Sequence, residues 1–187
     1  MPLQTWRQTL ITMQGDGVAV ANTAAETSLL LGQAKYTLQT NFVDTIGKAF
    51  AIKAAGRISH LASATVLFRF KLGPTANIAV FADVARALNA TAKTNVTWDL
   101  ELALLVRAVG SGVVATILGT GLFTSEAVIN VGANTNALSM SLPAGSPAVG
   151  TGFDSTVANV ADLTVQWGAA SASNTIQAHT YQLESLN

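Results

Sequence analysis

The sequence predicts an all-β fold, an antiparallel β-sandwich of jelly-roll type with about eight to ten strands. Three observations carry this expectation. Residues 94–123 read TNVTWDLELALLVRAVGSGVVATILGTGLF, and Val96, Trp98, Leu100, Leu102, Leu104 and Val106 occupy every second position. Thr97, Asp99, Glu101 and Arg107 take the opposite parity, the period of a strand with one buried face. Next, Gly110-Ser111-Gly112 offers a short connection able to take positive φ before a second β-branched run, Val113-Val114-Ala115-Thr116-Ile117-Leu118, so the stretch reads as a long hairpin. Finally, two strands of this length are not stable alone. Their apolar face must be covered by a second sheet.

In chain order, residues 1–14 form an N-terminal arm or edge strand around Trp6, Leu10, Ile11 and Met13, and residues 15–187 form a single β-sandwich domain. Gly15-Asp16-Gly17 is a turn, followed by a short strand at Val18-Ala19-Val20-Ala21, a polar loop over 22–28 and short extended pieces near 35–38 and 42–43. From Lys48, Phe50 and Ile52 oppose Lys53 and Arg57, and the Ala54-Ala55-Gly56 step predicts a bulge before Ile58. Residues 65–72, TVLFRFKL, put Val66, Phe68, Phe70 and Leu72 on one face, and Gly73-Pro74 ends that strand. Ala76 to Phe81 extends as a further strand, and the alanine-rich stretch 81–92 is open to a helical turn or two. Residues 128–136 read as loop or edge, 137–142 as a strand stopped by Pro143, and 143–152 as loop. Leu163, Val165 and Trp167 alternate with polar residues, and the run 175–186 completes a second hairpin across residues 168–174. There is no repeat of fixed period, which speaks against a propeller or β-helix.

Composition bounds the function classes. Charged residues are 11% of the chain against about 25% in ordinary soluble domains. With ten cationic and ten acidic side chains and a formal net charge of +0, copies have little electrostatic reason to stay apart. Arg107 is the last cation, and Glu126, Asp154, Asp162 and Glu184 follow it unopposed in sequence. Without a Lys/Arg cluster, nucleic acid is not an expected partner. The absence of Cys removes disulfides, thiolate metal sites and thiol nucleophiles. No apolar run of membrane-spanning or signal-peptide character stands out, so the expectation is synthesis in a cytoplasm and no membrane partner.

No catalytic constellation emerges. Asp99 and Glu101 share a strand face and have the chemistry of a glycosidase pair, but solvated charges paired with Arg57, Arg69 or Lys71 explain them more simply. His60 and His179 have no metal-ligand spacing around them, and no G-x-S-x-G elbow exists. Gly119-Thr120-Gly121 lacks a Walker lysine and marks a bulge or close sheet packing; Gly15-Asp16-Gly17 lacks the further oxygen ligands calcium needs. The expectation is a non-enzyme without cofactor or metal. Trp98 and Trp167 fall on core parities. Trp6 stands beside Arg7, a pairing enriched at interface hot spots, so Trp6, Arg7 and Leu10 are the candidate interface residues.

The segments WRQTLITMQGDGVAVANTAAETSLL, FAIKAAGRIS, FRFKLG, WDLELALLVRAVG with ILGTGLF, and LTVQWGAASASNTIQAHTYQLESLN resemble, in order and composition, the layout of small jelly-roll virion proteins of tailed bacteriophages. The resemblance runs from Trp6 to Asn187. Its most recognisable part is the Trp-Gly, the Asn-containing turn and the closing Leu-Glu-x-Leu. It implies a capsid decoration, or cement, protein: a homotrimer on the capsid surface of the virion whose partner is the major capsid protein. Related sandwiches serve as tail or receptor-binding components, and that alternative implies a glycan held by loops 143–152 and 168–174 at one end of the sandwich. No fibre repeat or coiled-coil stem is present, which disfavours a fibre shaft.

Overall fold

A computed structural model describes residues 6–128 and 138–186. These residues hold fourteen strands: β1 (Arg7–Thr12), β2 (Val20–Ala21), β3 (Thr27–Ser28), β4 (Thr37–Leu38), β5 (Ala49–His60), β6 (Thr65–Leu72), β7 (Ile78–Ala82), β8 (Arg86–Ala87), β9 (Lys93–Ala108), β10 (Thr116–Ser125), β11 (Leu138–Leu142), β12 (Asn159–Val160), β13 (Asp162–Trp167) and β14 (Thr175–Leu186). Five of them are two residues long, which leaves nine of substance. A large sheet has the order β1-β14-β5-β9-β10-β11, with β2 also on β14; a small sheet has the order β3-β13-β6-β7, with β8 also on β6; β12 and β4 form a separate pair. All pairings are antiparallel, and the two main sheets pack face to face as a sandwich.

The pairing is nested. Long outer strands β5 and β14 pair with each other, β6 pairs with β13 inside them, and β9 pairs with β10 innermost. This is the order of a rolled ribbon, as in a jelly roll. The roll is incomplete at one step, because β7 lies beside β6 and β11 beside β10 rather than the two pairing with each other.

Alternation decides what is buried. Trp98, Leu100, Leu102, Leu104 and Val106 of β9 are enclosed and Val96 packs on the core edge, while Thr97, Asp99 and Glu101 face out. Across the sandwich they meet Val66, Phe68, Phe70 and Leu72 of β6. The ring of Phe68 lies 6.4 Å from Trp98 and 5.0 Å from Phe123, and Trp98 stacks on Phe123 at 6.0 Å. Buried indole N–H groups are satisfied: Trp98 donates to Arg57 O and Trp167 to Val20 O, each at 3.2 Å. Gly119 faces this core, and a Cβ there would lie 2.4 Å from Phe81 Cδ2, so its smallness admits Phe81 from the other sheet. Close packing, not a bulge, explains that glycine.

Several expectations are corrected. The second strand of the central hairpin starts at Thr116, not Val113. The turn is longer than Gly110-Ser111-Gly112 and carries Val113 and Val114 outward. Strand β5 keeps its phase through Ala54-Ala55-Gly56. The irregularity is in its neighbour β14, whose register slips between Ala178 and Thr180. Residues 81–92 are extended and not helical, since they pair with β6 and dock through Leu88; the one helical turn among the described residues is Gly32–Ala34. The strands β13 and β14 do not form a hairpin, because β13 pairs within the small sheet and β14 within the large one, so 168–174 crosses between layers. The loop or edge expected over 128–136 lies outside the described residues, apart from Val128, which bridges to Leu88.

Candidate functional site

Among the described residues the fold assembles three surfaces able to meet another molecule. At the N-terminus, β1 is an edge strand of the large sheet, paired with β14, and the backbone of Met13 continues the ladder onto Tyr181. Leu10 packs partly buried against the chain's own core. Arg7 Nε forms an ion pair with Glu184 Oε2 at 2.6 Å, and Glu184 Oε1 accepts a hydrogen bond from Gln182 Nε2 at 3.0 Å. Trp6 is 70% exposed. It borders a small groove with Gln8, Phe42, Lys48 and Ser185, where the Lys48 ammonium lies 4.2 Å from the Phe42 ring centre. Of the three candidate interface residues, Trp6 therefore remains free to meet another molecule, while Arg7 and Leu10 are engaged within their own sheet.

A second surface is the end of the sandwich where β5 begins and β9 ends. Loop 109–115 is stitched to loop 153–158 by Gly110 N–H to Ser155 Oγ (2.9 Å), Gly112 N–H to Asp154 Oδ2 (2.8 Å) and paired backbone bonds between Ala115 and Phe153. Asn159 Nδ2 ties the same loop inward through Asp154 O and Val157 O. Loop 44–48 joins them through Gly47 N–H to Val106 O. On these braced loops Ile46, Val113, Val114 and Val157 are exposed, Val113 by 75%. The β-branched pair Val113-Val114 has the side chains of a strand, but the length of the turn places it in the loop before Thr116. Asp154 itself is held below the usual carboxylate range, first by the Thr156 hydroxyl and then by the Gly112 and Thr156 N–H groups.

A third surface is the outer face of the large sheet, where a shallow groove of about 770 Å³ runs over Ala51, Ala103 and Thr120 between Arg7 and the Pro143–Pro147 ridge. Glu101 pairs there with Lys53 at 3.5 Å. Arg69 and Lys71 are on the other sheet and hold Glu26 instead, at 3.2 and 3.3 Å. Burial raises the Glu26 pKa, but the Thr164 hydroxyl, Lys71 and Arg69 outweigh it, and the carboxyl sits below its usual range. The apparent charge asymmetry of the sequence dissolves in the fold, since Arg7 meets Glu184 and Lys35 meets Asp162 at 2.8 Å.

The loops expected to share one end do not. Segment 143–152 runs along the side of the sandwich, where Gly150 N–H bonds to Ile117 O and Thr151 N–H to Ala79 O, sealing β10 to β7. Its Val149 pairs with Leu118, level with Leu105 and Ala49, whereas Thr175, after 168–174, pairs with Ser59. From Ala49 to Ser59 the strand advances by about 33 Å. Both Trp98 and Trp167 are fully buried and offer no stacking platform. No group of three or more metal-ligating side chains exists among the described residues, and Asp16 is occupied by His179 Nδ1 at 2.7 Å.

His60 is enclosed at the end of β5. Its Nδ1 lies 2.6 Å from Leu61 O, and Nε2 has no hydrogen-bond partner among the described residues. Burial lowers its pKa from the ordinary 6.5, the Leu61 carbonyl pulls it up, and Lys93 pushes it down again, with a net decrease. The folded protein thus holds His60 neutral while the unfolded chain binds a proton. Stability is fully present above about pH 6.5 and declines as the pH falls below that value. Urea midpoints measured down to about pH 5, above the Glu26 window, should fall more steeply for the native sequence than for His60→Gln. Equal slopes would contradict this account.

No protein-family model and no curated protein matches the chain. Among solved structures it is similar to peanut lectin with a 9mer peptide (PVIWSSATG), at 7% identity and a TM-score of 0.32, over 98% of this chain and 99% of that one. An overlay this loose leaves the fold to rest on the strand pairing itself.

Proposed function

We propose that the chain is a non-enzymatic structural protein of a tailed-phage particle, a capsid decoration protein that bridges neighbouring major capsid subunits. The observation that carries this reading is the braced apolar end, where Ile46, Val113, Val114 and Val157 project from hydrogen-bonded loops. Aliphatic side chains on a rigid base lose little conformational entropy on docking, and each contributes up to roughly 1.5–3 kcal/mol when covered. The neutral, charge-poor surface supports the same reading, because copies must crowd on a shell without repulsion. Three copies around a position where three shell subunits meet would bring three such ends onto it, with Trp6 free to reach a neighbour.

The test is co-sedimentation with shells of the particle whose genes neighbour this one. Val113→Asp with Val114→Asp should weaken shell binding by about tenfold or more. Melting temperature should stay unchanged, since both side chains are already exposed. Full binding by the variant would defeat the proposal. Reproducible hits on a glycan array, with no shell association, would replace it by a carbohydrate-binding tail component.

A further inference from the structure

We propose that the outer face of the large sheet is a two-fold interface between two copies of this chain, with the axis in the plane of the contact, along the strands and between β5 and β9. The two sheets differ in how their outer faces are treated. The small sheet is draped by its own chain: Glu26 reaches Arg69 and Lys71, Gln166 Nε2 donates to Ala24 O at 3.1 Å, and Lys35 holds Asp162. On the large sheet such ties stay at the β14 edge, where Gln177 Nε2 donates to Gly17 O at 3.0 Å and His179 meets Asp16; among the described residues none ties a segment over β5, β9 or β10. Its outward positions near the centre are small or aliphatic, namely Ala49, Ala51, Ala103, Leu105, Leu118 and Leu122, with Leu122 well exposed.

The strand order supplies the symmetry. Three strands, β1, β14 and β5, lie on one side of the proposed axis, and three, β9, β10 and β11, on the other. Rotation about it sets β5 on β9 of the second copy, β14 on β10, and β1 on β11, so the whole sheet overlaps. The register makes that overlap self-complementary. Ala51 and Ala103 are cross-strand partners, so each faces the other across the two copies, and at the axis the sheets can approach to about 10 Å. Lys53 and Glu101 are cross-strand partners in the next row outward, 3.5 Å apart within one copy. Each ammonium then faces the carboxylate of the second copy, and four charges alternate around the axis. The Pro143–Pro147 ridge, pinned by Ala144 N–H to Asp83 Oδ1 at 2.7 Å, falls opposite Arg7 and Thr9 of the second copy, at a corner that sheet twist opens.

The area is sufficient. Six strands about 4.8 Å apart, each presenting about seven residues of 3.3 Å, give roughly 650 Å² per copy and roughly 1,300 Å² in all, within the range of specific interfaces. This contact goes beyond the decoration reading and does not depend on it. Two-fold axes relate neighbouring three-fold positions on a closed shell, so both contacts fit one assembly.

Sedimentation velocity on the full chain tests the proposal. Lys53→Glu sets a carboxylate against Glu101 of the second copy, and Glu101→Lys sets an ammonium against Lys53; each variant should associate roughly 100-fold more weakly than the native chain. An equimolar mixture should restore the dimer, because the carboxylate introduced by Lys53→Glu then faces the ammonium introduced by Glu101→Lys. Within each variant the like-charged neighbours persist, so restoration reports contact between copies and not repaired folding. Ala103→Arg should be monomeric with either partner while keeping the native melting temperature. A native chain that stays monomeric at all soluble concentrations, variants that associate as it does, or a mixture no better than its components would each overturn the interface. Shell binding through Val113 and Val114 is read separately, so either proposal can fail alone.

Discussion

Truncating Phe68 to alanine is expected to lower the free energy of unfolding by about 3–5 kcal/mol, whereas Thr97→Ala, on the wet face of β9, should change it by about 0.5 kcal/mol or less. Phe68 is completely enclosed and comes from the small sheet, while its ring neighbours Trp98 and Phe123 come from the large one. Removing it opens a cavity between layers whose walls are held apart by long ladders and collapse poorly. Both the transfer term and the cavity term are therefore lost in full. Urea denaturation reads the difference, with an unchanged m-value showing that the denatured state is the same. Similar effects at the two positions would refute the assignment of faces.

Gly56→Ala should cost about 3 kcal/mol, the upper end of overpacking. A Cβ at Gly56 would stand 1.9 Å from Gln177 O and 2.9 Å from Ala178 Cα. Both obstacles are backbone, next to the register slip of β14, so relief requires β5 and β14 to separate locally. Gly145, where nothing lies within 4 Å of the same atom, is the control. For a chain of this size the expected fall in melting temperature is roughly 6–12 °C for Gly56→Ala. Gly145→Ala should stay within about 0.5 kcal/mol of the native chain. A Gly56→Ala protein as stable as the control would show that the bulge accommodates a methyl group.

The parts of the fold legible in the sequence are those where one physical rule dominates. Strands β6 and β9 have one dry and one wet face, so TVLFRFKL and the Val96–Val106 alternation mark them closely. Partner choice obeys no such local rule. The alternation of β13 and β14 is the same whether they pair with each other or with β6 and β5, and only the packing of layers decides. The bulge signal at Ala54-Ala55-Gly56 was real but belonged to the neighbouring strand, since a glycine marks where another backbone comes close without saying which chain deforms. Interaction surfaces were the least legible. Val113 and Val114 have strand-like side chains, and their exposure comes from loop contacts to Asp154 and Ser155 that lie far along the sequence.

Strand β14 also sets a timetable. It lies between β1 and β5, and among the described residues β1 has no other strand partner, so these two strands, far apart in the chain, must wait for each other. During synthesis β1 emerges first and stays unpaired until residues 175–186 leave the ribosome, while β5, β9 and β10 are already able to zip together. Closing so long a loop is slow, and the β1–β14 pairing should form on the scale of milliseconds to seconds after residues 175–186 have emerged. Until then, the side of β5 awaiting β14 is an open sheet edge, the moment at which crowded nascent copies are most exposed to mispairing.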